Sequence, residues 1–254
     1  MKIRILLPFL ALGALVLIIG LACGTTPPAT SAPPSQPSQP TQPPQPTTPP
    51  QPTVPLPTAT QSIPDFFTEE FNTTSFPNWS YFLTHGNESK MAITSGDGKL
   101  RFNLDGEDIW VYLMYDPYTY TDVRLDARAI NLGYNNNNVS FICRYTGDDW
   151  YEVNVFNSGL YDILYGKWDN SRKTASYDSI ADGGSTAIRM GKDTNDYTVL
   201  CVGNTISLYI NGTKVNSVTA KNYALSKGQV GIGVSSFNVW PITVEWDYVT
   251  IGQP

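Results

Sequence analysis

The chain has 254 residues and a net charge of −6, with 15% charged, 41% hydrophobic and 12% aromatic residues. That acidic balance, with no basic cluster, excludes a nucleic-acid binder that works through the phosphate backbone. A single histidine, His85, excludes any site built on several imidazoles.

The chain opens on Lys2 and Arg4, followed by an apolar run over residues 5–22. A charged start, an apolar middle and a small-residue exit make an export signal. The exit reads Gly20-Leu21-Ala22-Cys23-Gly24. It resembles the lipobox of bacterial lipoproteins, in which cleavage falls before the cysteine and the cysteine is acylated. The resemblance implies that Cys23 carries lipid, palmitate included, its thiolate being the nucleophile. It also implies anchoring to a membrane of the cell envelope, with the rest of the chain outside the cytoplasm. The alternative is a retained membrane helix with Cys23 incidental, since the run is close to spanning length.

Residues 24–64 consist largely of Pro, Gln, Thr and Ser, and no charged residue occurs between Arg4 and Asp65. Such a segment lacks the apolar surface to offset its ordering entropy, which predicts a disordered or extended tether. At about 3.1 Å per residue in polyproline II it reaches up to roughly 100 Å.

Residues 65–254 are long enough for one sizeable core. Period-2 alternation predicts strands at 99–104, 109–114, 122–130, 139–145, 151–156 and 160–165. Further strands are predicted at 197–202, 205–210, 215–218, 228–234 and 242–251. Asn211-Gly212 reads as a two-residue hairpin turn, because both residues tolerate the positive φ of type I′. Gly228, Gly231 and Gly233 suggest a strand that another element approaches closely. No long helical period competes, so the domain is expected to be an antiparallel all-β sandwich.

The segments EEFNTTSFPNWSYF, GDGKLRFNL, FICRYTGDDWYEVNVFNSGLYDI, YTVLCVGNTISLYINGTKV, KGQVGIGV and VEWDYVTI follow one another in this order. Together they resemble the concanavalin A-like jelly roll, in its laminin-G and 3-keto-disaccharide-hydrolase-like branch, over residues 66–252. The resemblance implies two packed sheets, one of them concave, with the last strand returning beside the first.

Little in the chain suggests catalysis. Laminarinase-type hydrolases on this fold carry a Glu-x-Asp-x-x-Glu strand, whose alternation puts the carboxylates on one face. The nearest match is Glu245-Trp246-Asp247-Tyr248-Val249-Thr250, where Thr250 replaces the third carboxylate. Asp247 therefore reads as a structural acceptor. His85 lies in a polar loop over residues 84–89, and no Gly-x-Ser-x-Gly elbow is present. No cofactor is expected. Asp105, Glu107 and Asp108, and the Asp148-Asp149 turn, read as solvated acids, with calcium as the alternative. Cys143 and Cys201 fall in apolar strands of an exported domain, and either form a disulfide or remain buried thiols.

Alternation leaves a polar and aromatic face. Trp110 and Tyr112 share one side of their strand, Arg144 leaves the apolar side of its own, and Glu152 and Asn154 do likewise. Flat rings and fixed polar groups are what sugars need, so these five residues are the candidate ligand site. The alternative is that the aromatics fill the core. The expected function is a monomeric, non-catalytic carbohydrate-binding module, displayed on the surface and binding a glycan or another cell-surface ligand. Two alternatives stay open. One is an enzyme of the 3-keto-disaccharide-hydrolase-like type, and the other is an envelope adhesion protein that binds protein partners.

Overall fold

Alternating apolar residues with few helix formers leave the backbone one way to satisfy its polar groups, which is to pair strands. The computed structural model describes residues 62–254. Cys23 and the tether up to residue 61 lie outside the described residues. In chain order the strands are β1 (Phe67–Glu69), β2 (Trp79–His85), β3 (Met91–Gly96), β4 (Lys99–Leu104) and β5 (Trp110–Tyr115). Next come β6 (Val123–Asn131), β7 (Asn137–Tyr145), β8 (Asp149–Phe156), β9 (Leu160–Asp169) and β10 (Thr174–Gly184). The last are β11 (Thr194–Val202), β12 (Thr205–Ile210), β13 (Thr213–Thr219), β14 (Gln229–Ser236) and β15 (Ile242–Gly252).

They form two antiparallel sheets, the concanavalin A-like jelly roll. One sheet runs β13-β12-β11-β6-β15-β4-β3, with β1 also paired to β15. The other runs β10-β9-β8-β7-β14-β5-β2. The closing pair matches Phe67 with Ile251, so the last strand does return beside the first. Asn211 and Gly212 adopt φ of 50° and 78°, and the two-residue turn between β12 and β13 is the one that the sequence predicts.

The core lies between the sheets. Val111 and Leu113 of β5, Phe141 and Cys143 of β7, and Val153 of β8 meet Leu125 of β6, Val199 of β11 and Trp246 of β15 there. Cys143 on β7 and Cys201 on β11 are joined as a disulfide, which ties the two sheets together across this core.

The seven-stranded sheet carries a second, smaller apolar cluster on its outer face. Tyr112, Met114, Ile142 and Trp150 form it, with Phe82, Tyr145, Trp168 and Tyr177 packed against them. Two glycines make room for these rings. A Cβ at Gly166 would lie 2.2 Å from the Trp150 ring, and one at Gly233 would lie 2.5 Å from Tyr112.

The chain that leads into the domain is held by three tyrosines. Tyr118, Tyr115 and Tyr120 donate their hydroxyls to the carbonyls of Ile63, Pro64 and Asp65. Ile63 and Pro64 lie on the tether side of the boundary expected at residue 65, so the packed region begins slightly earlier than composition suggests. Trimming the protein to Ser62 should leave the melting temperature unchanged. Trimming through Asp65 strips acceptors from the buried Tyr115 and Tyr120 hydroxyls and should cost about 2 kcal/mol. Thermal melts of the two truncations check this.

Candidate functional site

Side chains on the outer face of the seven-stranded sheet follow strand alternation, and at one end of the strands they enclose a pocket. From β5 comes Trp110, from β8 Glu152 and Asn154, and from β9 Asp162. Tyr177 of β10 and Phe237, which follows β14, complete its walls. The cavity is about 230 Å³. Register explains the convergence: Asn154 stands opposite Ser140 on β7 and opposite Asp162 on β9. Ser140 donates its hydroxyl to Asn154 Oδ1 at 2.6 Å. Phe156 and Phe237 stack with ring centroids 5.8 Å apart, forming an apolar flank.

Glu152 is 2% exposed and is held by its neighbours. The Tyr112 hydroxyl lies 2.9 and 3.0 Å from the two carboxyl oxygens, and Trp150 Nε1 donates to Oε2 at 2.8 Å. Burial outweighs these hydrogen bonds and pushes the Glu152 carboxyl up to about 7. Burial likewise raises Asp162 to about 6, helped by the nearby charge of Asp182. The Tyr112 and Tyr177 hydroxyls are raised well above the ordinary phenol range, mainly by burial, and stay protonated. A hydrogen-bond chain therefore runs from Thr84 through Tyr177 and Tyr112 to Glu152, with steps of 3.1, 3.1 and 2.9 Å. Two buried polar atoms of residues lining the pocket have no hydrogen-bond partner in the protein: Trp110 Nε1, a donor, and Asp162 Oδ1, an acceptor.

Of the five residues that the sequence singles out, the structure brings Trp110, Glu152 and Asn154 together. Tyr112 is on the expected side of its strand but is 1% exposed, lying beneath Glu152 in the aromatic cluster. It supports the site and does not contact solvent. Arg144 is elsewhere, which corrects the sequence reading. β7 advances three residues, from Ile142 to Tyr145, while β14 advances two, from Gly231 to Gln229. Arg144 is the extra residue of this bulge, at a φ of 57°. One inserted residue inverts the alternation that follows. Tyr145 thus joins Phe82 and Trp150 on the outer face, and Arg144 turns away. Its guanidinium sits 5.8 Å from the Tyr151 ring and donates to the carbonyls of Thr121 and Leu225. It is a buried structural cation.

Sequence reasoning missed Asp162 and Tyr177. Asp162 was recoverable, since alternation along β9 puts it on the side away from Tyr161 and Ile163. Tyr177 was not, because β10 is too polar to be recognised as a strand. His85, expected in a loop, ends β2, and its exposed ring lies 5.4 Å from Trp110 at the pocket rim. Glu245 and Asp247 belong to the other sheet and are tied to Arg101 and Lys99 at 2.8 and 2.5 Å. Asp247 is thus the structural acceptor that the sequence suggests. Among the described residues no three acidic, histidine or cysteine side chains gather as a metal-holding group.

No protein-family model matches the chain, and no curated protein is similar to it in sequence. Solved structures are similar in fold. One is LamA from Zobellia galactanivorans in complex with laminaritriose and laminaritetraose, at 12% identity and a TM-score of 0.52, covering 74% of this chain and 98% of that one. Another is a β-glucanase from Bacillus licheniformis, at 14% identity and a TM-score of 0.52, covering 74% and 98%. A third, from Bacillus subtilis, is described as a protein of unknown function with a galectin-like fold, at 10% identity and a TM-score of 0.55, covering 74% and 94%. These likenesses establish the fold.

Proposed function

We propose that this domain is a carbohydrate-binding module whose site is the pocket between Trp110, Glu152, Asn154 and Asp162. The observation that carries the reading is the pairing of aromatic walls with two buried, unpartnered polar atoms, the Trp110 Nε1 donor and the Asp162 Oδ1 acceptor. A sugar offers both partners in its hydroxyls and a C–H face to a ring. The likeness in fold to LamA, whose structure holds laminari-oligosaccharides, supports this chemistry. A glycan array, read for binding and for turnover, tests it. Trp110→Ala should weaken the binding of any captured glycan by about tenfold, through loss of stacking and of the Nε1 donor. Isothermal titration measures this, and unchanged affinity would place the site elsewhere.

A hydrolytic reading has one specific observation in its favour. Glu152 and Asp162 share a face of adjacent strands as diagonal neighbours, a separation of about 7–8 Å between backbone positions. Two-carboxylate glycoside hydrolysis uses a pair of carboxyls facing one site, with one kept protonated. Against it, Glu152 already accepts from Tyr112 and Trp150. Product release from an oligosaccharide pool, abolished by Asp162→Asn, would establish the enzyme.

We further propose that Cys23 carries the lipid that holds the domain at a cell-envelope membrane, on the strength of the Leu21-Ala22-Cys23 exit. Cys23→Ser should abolish lipid attachment and leave the domain folded, with altered detergent-phase partitioning and a shifted mature mass. Phase partitioning and mass spectrometry read both.

A further inference from the structure

The outer face of the seven-stranded sheet is closed in two directions. Its edge strands are β10 and β2, at opposite ends of the strand order, yet they come together over the face. Tyr177 of β10 donates its hydroxyl to Thr84 Oγ1 of β2 at 3.1 Å, and its ring packs edge-on against Trp110, centroids 5.6 Å apart. A linear polymer lying across the strands would need both edges open. Along the strands the face is filled by the aromatic cluster: Phe82 touches Tyr145, Trp150 and Trp168 at centroid distances of 5.2–5.6 Å. What remains is the pocket at the other end, about 230 Å³. That is below the roughly 300–1,000 Å³ of sites that enclose drug-sized ligands, and suits one sugar ring. Its charge is also one-sided: Glu152 and Asp162 line it, and no lysine or arginine does.

We infer that the site captures the terminal residue of a glycan end-on, and that this residue is a neutral or amino sugar and not a uronic acid. The arch of Tyr177 over Thr84 denies passage to an internal segment. The terminal ring rests against Trp110, and a small shift of the Trp110 and Asp162 side chains on binding brings the unpartnered Nε1 and Oδ1 to its hydroxyls. A carboxylate on that ring would face two acidic groups with no cation to offset them, whereas an ammonium would be welcomed.

This inference rests on the carbohydrate reading above, and one titration series separates the two. The probes are free glucose, glucosamine, N-acetylglucosamine and glucuronic acid, then neutral oligosaccharides of increasing length that share the terminal residue of the best binder, up to the polymer. Affinity per chain end should stay constant along the ladder, within about twofold. A bulky substituent on the terminal ring should reduce it by about tenfold or more, and chains ending in glucuronic acid should not bind. Affinity that climbs with chain length, or capped polymer that still binds, overturns end recognition and leaves the carbohydrate reading standing. Binding by no member of the series and by no glycan on the array overturns both. Tyr177→Ala, which opens the arch, should make binding length-dependent. Should that variant fail to fold, the ladder measured on the unaltered protein still decides.

Discussion

The folded domain should lose about 3 kcal/mol of stability as the pH rises from 4.5 to above 7, through Glu152 alone. Its carboxyl is raised from 4.5 to about 7 on folding, chiefly by burial against Tyr112 and Trp150. A carboxyl whose folded pKa is raised holds its proton more tightly in the native state than in the unfolded chain. Stability is therefore greatest below the unfolded pKa and falls as the pH rises towards the folded one, the reverse of an ion-paired carboxylate. Asp162, raised from 3.8 to about 6, adds a loss of the same sign in a lower window. Glu152→Gln removes the titration while keeping an acceptor for Trp150 and offering a donor to Tyr112. The variant should match the parent near pH 4, below the unfolded pKa, and exceed it by about 3 kcal/mol at pH 8. Urea denaturation at the two pH values measures this. A variant less stable than the parent at pH 8 would show that the carboxylate is stabilised in place and that the sign is wrong.

The second large effect lies in the disulfide. Cys143 and Cys201 are 58 residues apart in sequence, and each is 1% exposed. Closing a loop of that length in the unfolded chain corresponds to about 4 kcal/mol. Replacing both with alanine leaves small voids and releases β7 from β11 across the core. In a domain of this size the melting temperature should fall by about 10 °C. A scan with and without reductant on the parent, beside the double variant, separates the bond from the packing. If all three melt together, the bond contributes nothing and the two residues act as small hydrophobes.

Much of the sandwich was legible because its central strands are amphipathic. β4 and β12 fall on the residues that alternation marks, and β6, β8 and β14 differ only at their ends. The strands that alternation did not mark are β1, β2, β3 and β10. β10 reads Thr-Ala-Ser-Tyr-Asp-Ser-Ile-Ala-Asp-Gly-Gly and buries no residue fully. It owes its structure to pairing along β9 and not to its own pattern. Edge strands pair on one side only and need little hydrophobic content, so periodicity is weakest there. β10 is also the strand that closes the site.

Alternation alone determined that Trp110, Glu152 and Asn154 would leave the core, because successive side chains on an extended backbone point to opposite faces. It also determined that Cys143 and Cys201 would face inward. The lipobox resemblance and the tether composition are likewise properties of sequence, read without any fold. Tertiary structure decided the rest. The bulge at Arg144 depends on how β14 pairs with β7, and one extra residue there sent the arginine to the core side and Tyr145 to the site side. Whether an outward aromatic is exposed depends on what covers it, and the curl of the sheet put Tyr177 over Tyr112. The same curl turned an open face into a pocket. Curvature and register join residues far apart in the chain, such as Thr84 and Tyr177, and no local pattern encodes a contact between them.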